Sequence, residues 1–224
     1  MNNLQTEAIV LHRTNYGEAD RIINFLSPTD GKFSAIAKGV RKAKSKMAGS
    51  LELFAVMTVT VRQGRGDVGL LTSARLGCFY GDILKEYERT QFAYEALKQI
   101  NRVTESVAEP DFYFILKDLF SYLDNLAIDW RLSELWFRLR MITLLGRGLN
   151  LAADLTGQPL VATQCYNFDF QEMTFVQHPS GQFTAEHIKL LRLASVKNPT
   201  ALRHIGGLGI VLEDCLWLVR HIEI

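Results

Sequence analysis

The apolar period of this 224-residue chain changes near residue 82, and that change limits the folds open to it more than any other feature. Before it, side chains alternate. In LELFAVMTVTVRQ, Leu53, Ala55, Met57, Val59 and Val61 share one face while Thr58, Thr60 and Arg62 share the other, the pattern of a half-buried strand. After it, DILKEYERTQFAYEALKQINRVTE places Ile83, Tyr87, Phe92 or Ala93, Leu97 and Ile100 at helical spacing, predicting an amphipathic helix that ends before Pro110. A strand-built module therefore precedes a helix-built one.

Within residues 6–76, TEAIVLHRT and ADRIINFLS read as strands, and SPTDGK turns the chain into KFSAIAK through Pro28, Asp30 and Gly31. GRGD then connects the strand ending at Arg62 to VGLLTSARL. Five short strands with a long third-to-fourth connection predict a small closed or nearly closed barrel, because closure removes exposed strand edges. Downstream, PDFYFILKDLFSYLDNLA begins a second helix with Pro110 in its first turn, and RLSELWFRLRMITLLGRGL makes a third, stopped at Gly146 and Gly148. Residues 149–184 are less regular: Gly157-Gln158-Pro159 is turn-like, YNFDFQEMTFVQ alternates weakly, and HPSGQ reads as a hairpin tip. AEHIKLLRLA and GIVLEDCLWLVRHI return to helix. The fold class expected is α+β, with a barrel over residues 1–80 and a mainly helical domain over residues 81–224.

Net charge is only +1, but it is unevenly placed: residues 1–80 carry 11 Lys and Arg against 6 Asp and Glu, while the remainder carries 14 against 18. The N-terminal stretch lacks the basic start and apolar core of a signal peptide, and no segment approaches the roughly 18 apolar residues that span a bilayer. With three widely spaced cysteines, Cys78, Cys165 and Cys215, the pattern fits a reducing, cytoplasmic compartment with buried thiols and no membrane partner.

Catalytic patterns are sparse. GRGDVG, residues 64–69, matches the dinucleotide-binding glycine pattern, but a strand and not a helix follows, so a hairpin turn is the reading. There is no phosphate-binding G-x-x-x-x-G-K-[ST], no H-E-x-x-H pair and no G-x-S-x-G elbow. Cys165, His178 and His187 are too loosely spaced to mark a metal site, and adjacent carboxylates such as Glu86 and Glu88 are solvated helix faces. No cofactor and no catalytic residue is expected, and the chain reads as a non-enzyme.

One constellation remains. KGVRKAKSKMAG places Lys38, Arg41, Lys42, Lys44 and Lys46 within nine positions without an acid. It sits between barrel strands in a module that also holds Arg13, Arg21, Lys32, Arg62, Arg65 and Arg75. Small barrels bind oligonucleotides across an open strand face, with loops that clamp the backbone and aromatics that stack bases; Phe25, Phe33 and Phe54 are the aromatic candidates. Lysines suit phosphates better than base edges, so sequence-independent binding is expected. The contrasting reading is a structural adaptor whose barrel binds protein partners and whose basic loop is incidental.

TEAIVLHRTNYGEADRIINFLSPTDGKFSAIAKGVRKAKSKMAGSLELFAVMTVTV resembles the N-terminal domain of the bacterial recombination mediator family RecO. The resemblance rests on the Y-G-E-A-D turn at residues 16–20, the T-D-G-K hairpin, A-K-G-V-R-K-x-K-S, and the strand begun by Leu51 and Phe54. It implies an oligonucleotide/oligosaccharide-binding (OB) barrel in a protein that binds single- and double-stranded DNA and anneals complementary strands. It further implies that this protein works with RecR, remodels single-stranded DNA-binding protein (SSB) and helps load RecA in recombinational DNA repair, near the nucleoid. From their charge and placement in the barrel module, the residues expected to bind DNA are Lys38, Arg41, Lys42, Lys44, Lys46, Arg13, Arg21, Arg62 and Arg65.

Many members carry a four-cysteine zinc element in the C-terminal part. Here residues 149–187 look like its degenerate remains, with Ala153, Thr156, Thr184 and His187 at the ligand places, so no zinc is expected. Members also bind the acidic, apolar C-terminal tail of SSB on the helical domain. Arg138, Arg140 and Arg147, near Trp136, Leu139 and Leu144, are the candidates for its carboxylates.

Overall fold

A computed structural model of the chain describes residues 3–45, 47–64, 66–105, 107 and 109–223. Five strands, β1 (Asn3–Tyr16), β2 (Asp20–Ser27), β3 (Gly31–Ala37), β4 (Ala55–Arg62) and β5 (Val68–Phe79), close into a barrel in the order β1-β2-β3-β5-β4. β1 makes closure possible because it is long enough to serve two neighbours: Asn3 to Ile9 pair with β4 and Ile9 to Tyr16 with β2, with a register shift between Val10 and His12. β3 and β5 are the parallel pair.

The two-residue alternation correctly separates inside from outside. Ala8, Val10, Ile23, Phe25, Ala35, Ala37, Met57, Val59, Val61 and Leu71 fill the barrel, and Val40 and Leu51 extend this core from the long third-to-fourth connection. Gly69, the last glycine of GRGDVG, lies in β5 opposite Ala35, and a Cβ there would come 2.3 Å from Val61 Cγ1. A glycine there leaves room for the Val61 side chain of the neighbouring β4, which accounts for it by packing.

The chain divides into two compact units, Met1–Asn125 and Leu126–Ile224. The first joins to the barrel the helices α1 (Tyr87–Val103) and α2 (Asp111–Asp124). The helical period begins later than the sequence indicates. Ile83 is buried in a short 3₁₀ turn, Glu86 is extended (φ −124°, ψ 134°), and the break turns Tyr87 to solvent, where it is 72% exposed. Phe92, Ala96, Leu97 and Ile100 form the buried stripe of α1, and Phe112, Leu116, Leu119 and Phe120 that of α2. Polar contacts pin both helices to the outside of the barrel. Lys32 donates to the Asn101 carbonyl at 2.6 Å, and Asn24 donates to the Asn101 side chain at 3.3 Å. The buried Tyr113 hydroxyl donates to Glu7, which Lys117 also contacts at 3.1 Å. The Tyr113 bond holds the Glu7 carboxyl below its ordinary range, so this contribution to stability is present at neutral pH and is lost as pH falls through that lowered value.

In the second unit, α3 (Trp130–Leu144) starts at Asp129, whose carboxylate accepts from the Arg131 N–H, and stops at Gly146 (φ 77°). There follow β6 (Asn150–Asp154), β7 (Tyr166–Asp169) and β8 (Thr174–Gln177) in the order β6-β8-β7, then α4 (Ala185–Val196), α5 (Pro199–Leu202) and α6 (Gly209–Arg220). YNFDFQEMTFVQ contains the whole β7–β8 hairpin; its turn uses Met173 (φ 53°) and Asp169, whose carboxylate accepts from the Gln171 and Glu172 N–H groups. HPSGQ is consequently not that hairpin's tip. It forms the next turn, which returns Phe183 to pair with Tyr166. The core unites Leu135, Leu139, Phe175, Phe183, Leu191 and Leu216.

Candidate nucleic-acid interface

Two stretches distant in sequence lock together to form the base of the basic loop. The Asp20 carboxylate accepts from the Gly39 N–H at 2.7 Å, and the Ala19 carbonyl accepts from the Arg41 N–H at 2.9 Å. The Arg41 guanidinium reaches the Gly17 carbonyl at 3.3 Å. Gly17 (φ 55°) and Gly39 (φ 65°) both occupy the left-handed region that glycine tolerates, which accounts for a glycine in each motif. Val40, 3% exposed, anchors the loop in the core, and further turns form from Lys42 to Gly39 and from Ser45 to Lys42. The alternation of anchored Gly39 and Val40 with exposed Lys38, Arg41, Lys42 and Lys44 produces a held loop that presents charge outward.

Register places a second feature beside it. The cross-strand partners Thr14 and Ile22, Ile22 and Ile36, Ile36 and Leu70, and Leu70 and Arg62 form one row around the barrel's outer face, opposite in parity to the core residues Ile23, Ala35 and Val61, and the pair Tyr16 and Asp20 lies on the same face one step along. Ile22, Ile36 and Leu70 are half-buried. Lys38 and Arg62 flank a groove of about 250 Å³ whose floor includes Ile36 and Leu70. Cations at the rim of an apolar strip suit a strand that places phosphates at the edge and bases on the floor.

The other expected residues are placed as follows. Arg21 donates to the Asn15 side chain at 3.1 Å. Arg13 is half-buried, donates to the Leu51 carbonyl at 3.0 Å and stands 3.7 Å from Glu52, so it both fastens the connection and shares its charge. Lys46 and Arg65 lie outside the described residues. Phe25 and Phe54 are buried, and Phe33 stacks on Phe25 at 5.3 Å between centroids, so Phe25 and Phe54 offer no open ring. Tyr16, 55% exposed at the end of β1, was not singled out by the sequence: alternation carried on from Ala8 and Val10 would place it inside, and the shift after Val10 turns it outward.

The three arginines of the second unit differ in kind. Arg138 is 9% exposed and donates to the buried Glu134 at 2.8 Å. Arg140 lies over Trp136 at 5.9 Å, with its Nε buried and unpaired, while Arg147 is exposed and donates to the Glu223 carbonyl at 2.7 Å. Trp136 and Leu139 are buried.

At the expected zinc places, side chains bond to each other. Thr156 donates to Asp154, which holds that carboxyl below its ordinary range. Thr184 and His187 make a capping box at the start of α4, and the other His187 nitrogen lies 3.1 Å from Asp214. His178 bonds Ser180, and no group of three or more His, Cys, Asp or Glu suited to a metal occurs among the described residues. Cys215 is buried, which pushes its thiol up, whereas Cys78 is exposed on β5, contrary to the expectation of buried thiols. No helix among the described residues is long and apolar enough to cross a membrane.

Strand order, closure and the charged outer face define the first module as an OB barrel. Residues 1–77 match the family model described as recombination protein O N terminal. These first 77 residues thus carry the N-terminal domain of the RecO family. It is 26% identical over 144 residues to the DNA repair protein RecO of Syntrophomonas wolfei, covering 64% of this chain and 57% of that one. To the DNA repair protein RecO of Roseiflexus sp. it is 31% identical over 144 residues, covering 63% and 50%. With that of Acetivibrio thermocellus identity reaches 35% over 103 residues, covering 46% and 41%. The chain thus spans about half the length of the curated relatives it matches.

Proposed function

We propose that this chain is a non-enzymatic mediator of recombinational DNA repair that binds single- and double-stranded DNA and brings complementary strands together. The observation that carries the reading is the held basic loop: Lys38, Arg41, Lys42 and Lys44 are exposed and make no ion pair among the described residues, and they adjoin the apolar outer strip. Neutralising phosphates on both strands lowers their mutual repulsion, so base pairing proceeds without any bond being made or broken by the protein. The names of the relatives support the repair context. RecR and SSB are the proposed partners, with RecA loading as the downstream step, in the cytoplasm at the nucleoid. For the acidic tail of SSB, Arg140 and Arg147 are the available cations, since Arg138 is engaged with Glu134.

The test is annealing of complementary oligonucleotides coated with SSB, followed by energy transfer between labelled ends. The chain is expected to accelerate annealing without nucleotide hydrolysis or strand cleavage. An unchanged rate, together with capture of RecR, would favour the adaptor reading.

A further inference from the structure

A cleft of about 680 Å³ opens between β1 and α1 in the first unit, within the range of roughly 300–1,000 Å³ common for small-ligand sites. Its apolar walls include Leu53 and the buried Leu97, its basic groups are His12, Arg13 and Lys98, and no acid lines it. Glu52 stands outside the lining, 3.7 Å from Arg13, and neutralises part of that charge. Tyr94 is 48% exposed at the opening and is braced edge-on by Phe54 at 4.9 Å between centroids. A braced, open ring beside an apolar wall and cations matches a flat base attached to a phosphate. A purely apolar ligand would leave the cations without use, and an acidic peptide would leave the ring without use.

The cleft is continuous with the outer strip. His12, Thr14 and Tyr16 pair with Asn24, Ile22 and Asp20, so they share the outer face of β1, and the four steps from Tyr16 to His12 span about 13 Å. Resting on the proposed DNA-binding function, we propose that the β1–α1 cleft is a second nucleotide subsite, taking a base and phosphate of a single strand that runs from the basic loop along β1. α1 is then a DNA-contacting element as well as a brace for the barrel.

The test is fluorescence anisotropy with oligothymidylates of about four and about ten nucleotides, a range typical of one barrel of this type. Wild type is expected to bind the longer oligomer more tightly than the shorter one. Lys98→Ala should leave the shorter unaffected and lower the log–log salt slope for the longer by about 0.7. Tyr94→Ala should lose about tenfold on the longer oligomer only, with Tyr94→Phe restoring it. If Lys98→Ala and Tyr94→Ala both keep the wild-type length dependence and salt slope, the subsite does not exist, while sensitivity of the shorter oligomer to Lys42→Glu leaves the underlying function standing. If wild type binds neither oligomer, both proposals fail.

Discussion

Replacing Arg41, Lys42 and Lys44 together by Glu is expected to weaken single-strand binding by more than about a hundredfold near physiological salt. Fluorescence anisotropy reads the loss, and circular dichroism checks folding. The size of the effect follows from removing phosphate contacts and substituting repulsion at the same places. The loop should keep its course, because what holds it is unchanged: Asp20 to the Gly39 N–H, the Arg41 backbone N–H to the Ala19 carbonyl, and Val40 in the core. Only the Arg41 side-chain contact with the Gly17 carbonyl is lost. Retained affinity with a retained fold would place DNA binding elsewhere.

The largest effect on stability is expected from Glu134→Ala. Glu134 is 2% exposed and accepts from Arg138 on its own helix and from Arg220 of α6, both Nε atoms at 2.8 Å. Its removal leaves two guanidinium groups without the carboxylate around which they are packed. Breaking a buried pair on one side costs about 3 kcal/mol or more, well above the value of the pair relative to an apolar replacement. Urea unfolding should therefore show the second unit destabilised by about that amount, whereas Arg147→Ala, on an exposed side chain, should change little. Equal, small changes in both variants would mean that the Glu134 cluster is dispensable.

The strands of the barrel were legible because their signals are local: alternation in β4 and the Asp30-Gly31 turn leave few alternatives. The basic loop was legible as charge, but its rigidity was not, since the Asp20–Gly39 and Ala19–Arg41 bonds join segments about 20 residues apart. Helical period misplaced Tyr87 because nothing local announces the extended Glu86 that rotates it outward. The β1 register shift between Val10 and His12 is likewise unmarked in the sequence, and alternation carried through it from Ala8 and Val10 would place Tyr16 inside. In the second unit the cost of ignoring long-range pairing was greatest: Arg138 looks like a surface cation on α3 until Glu134 and Arg220 are seen around it. Thr184 and His187, three residues apart like ligands of a lost metal clip, also fit a capping box, and only the structure gives that use.

The most direct measurement is the salt dependence of oligothymidylate binding by the whole chain. With about four phosphates met by the loop and rim cations, log affinity should fall against log salt with a slope of roughly −3. An affinity independent of salt, or no binding at low salt, would contradict a phosphate-binding role for the loop.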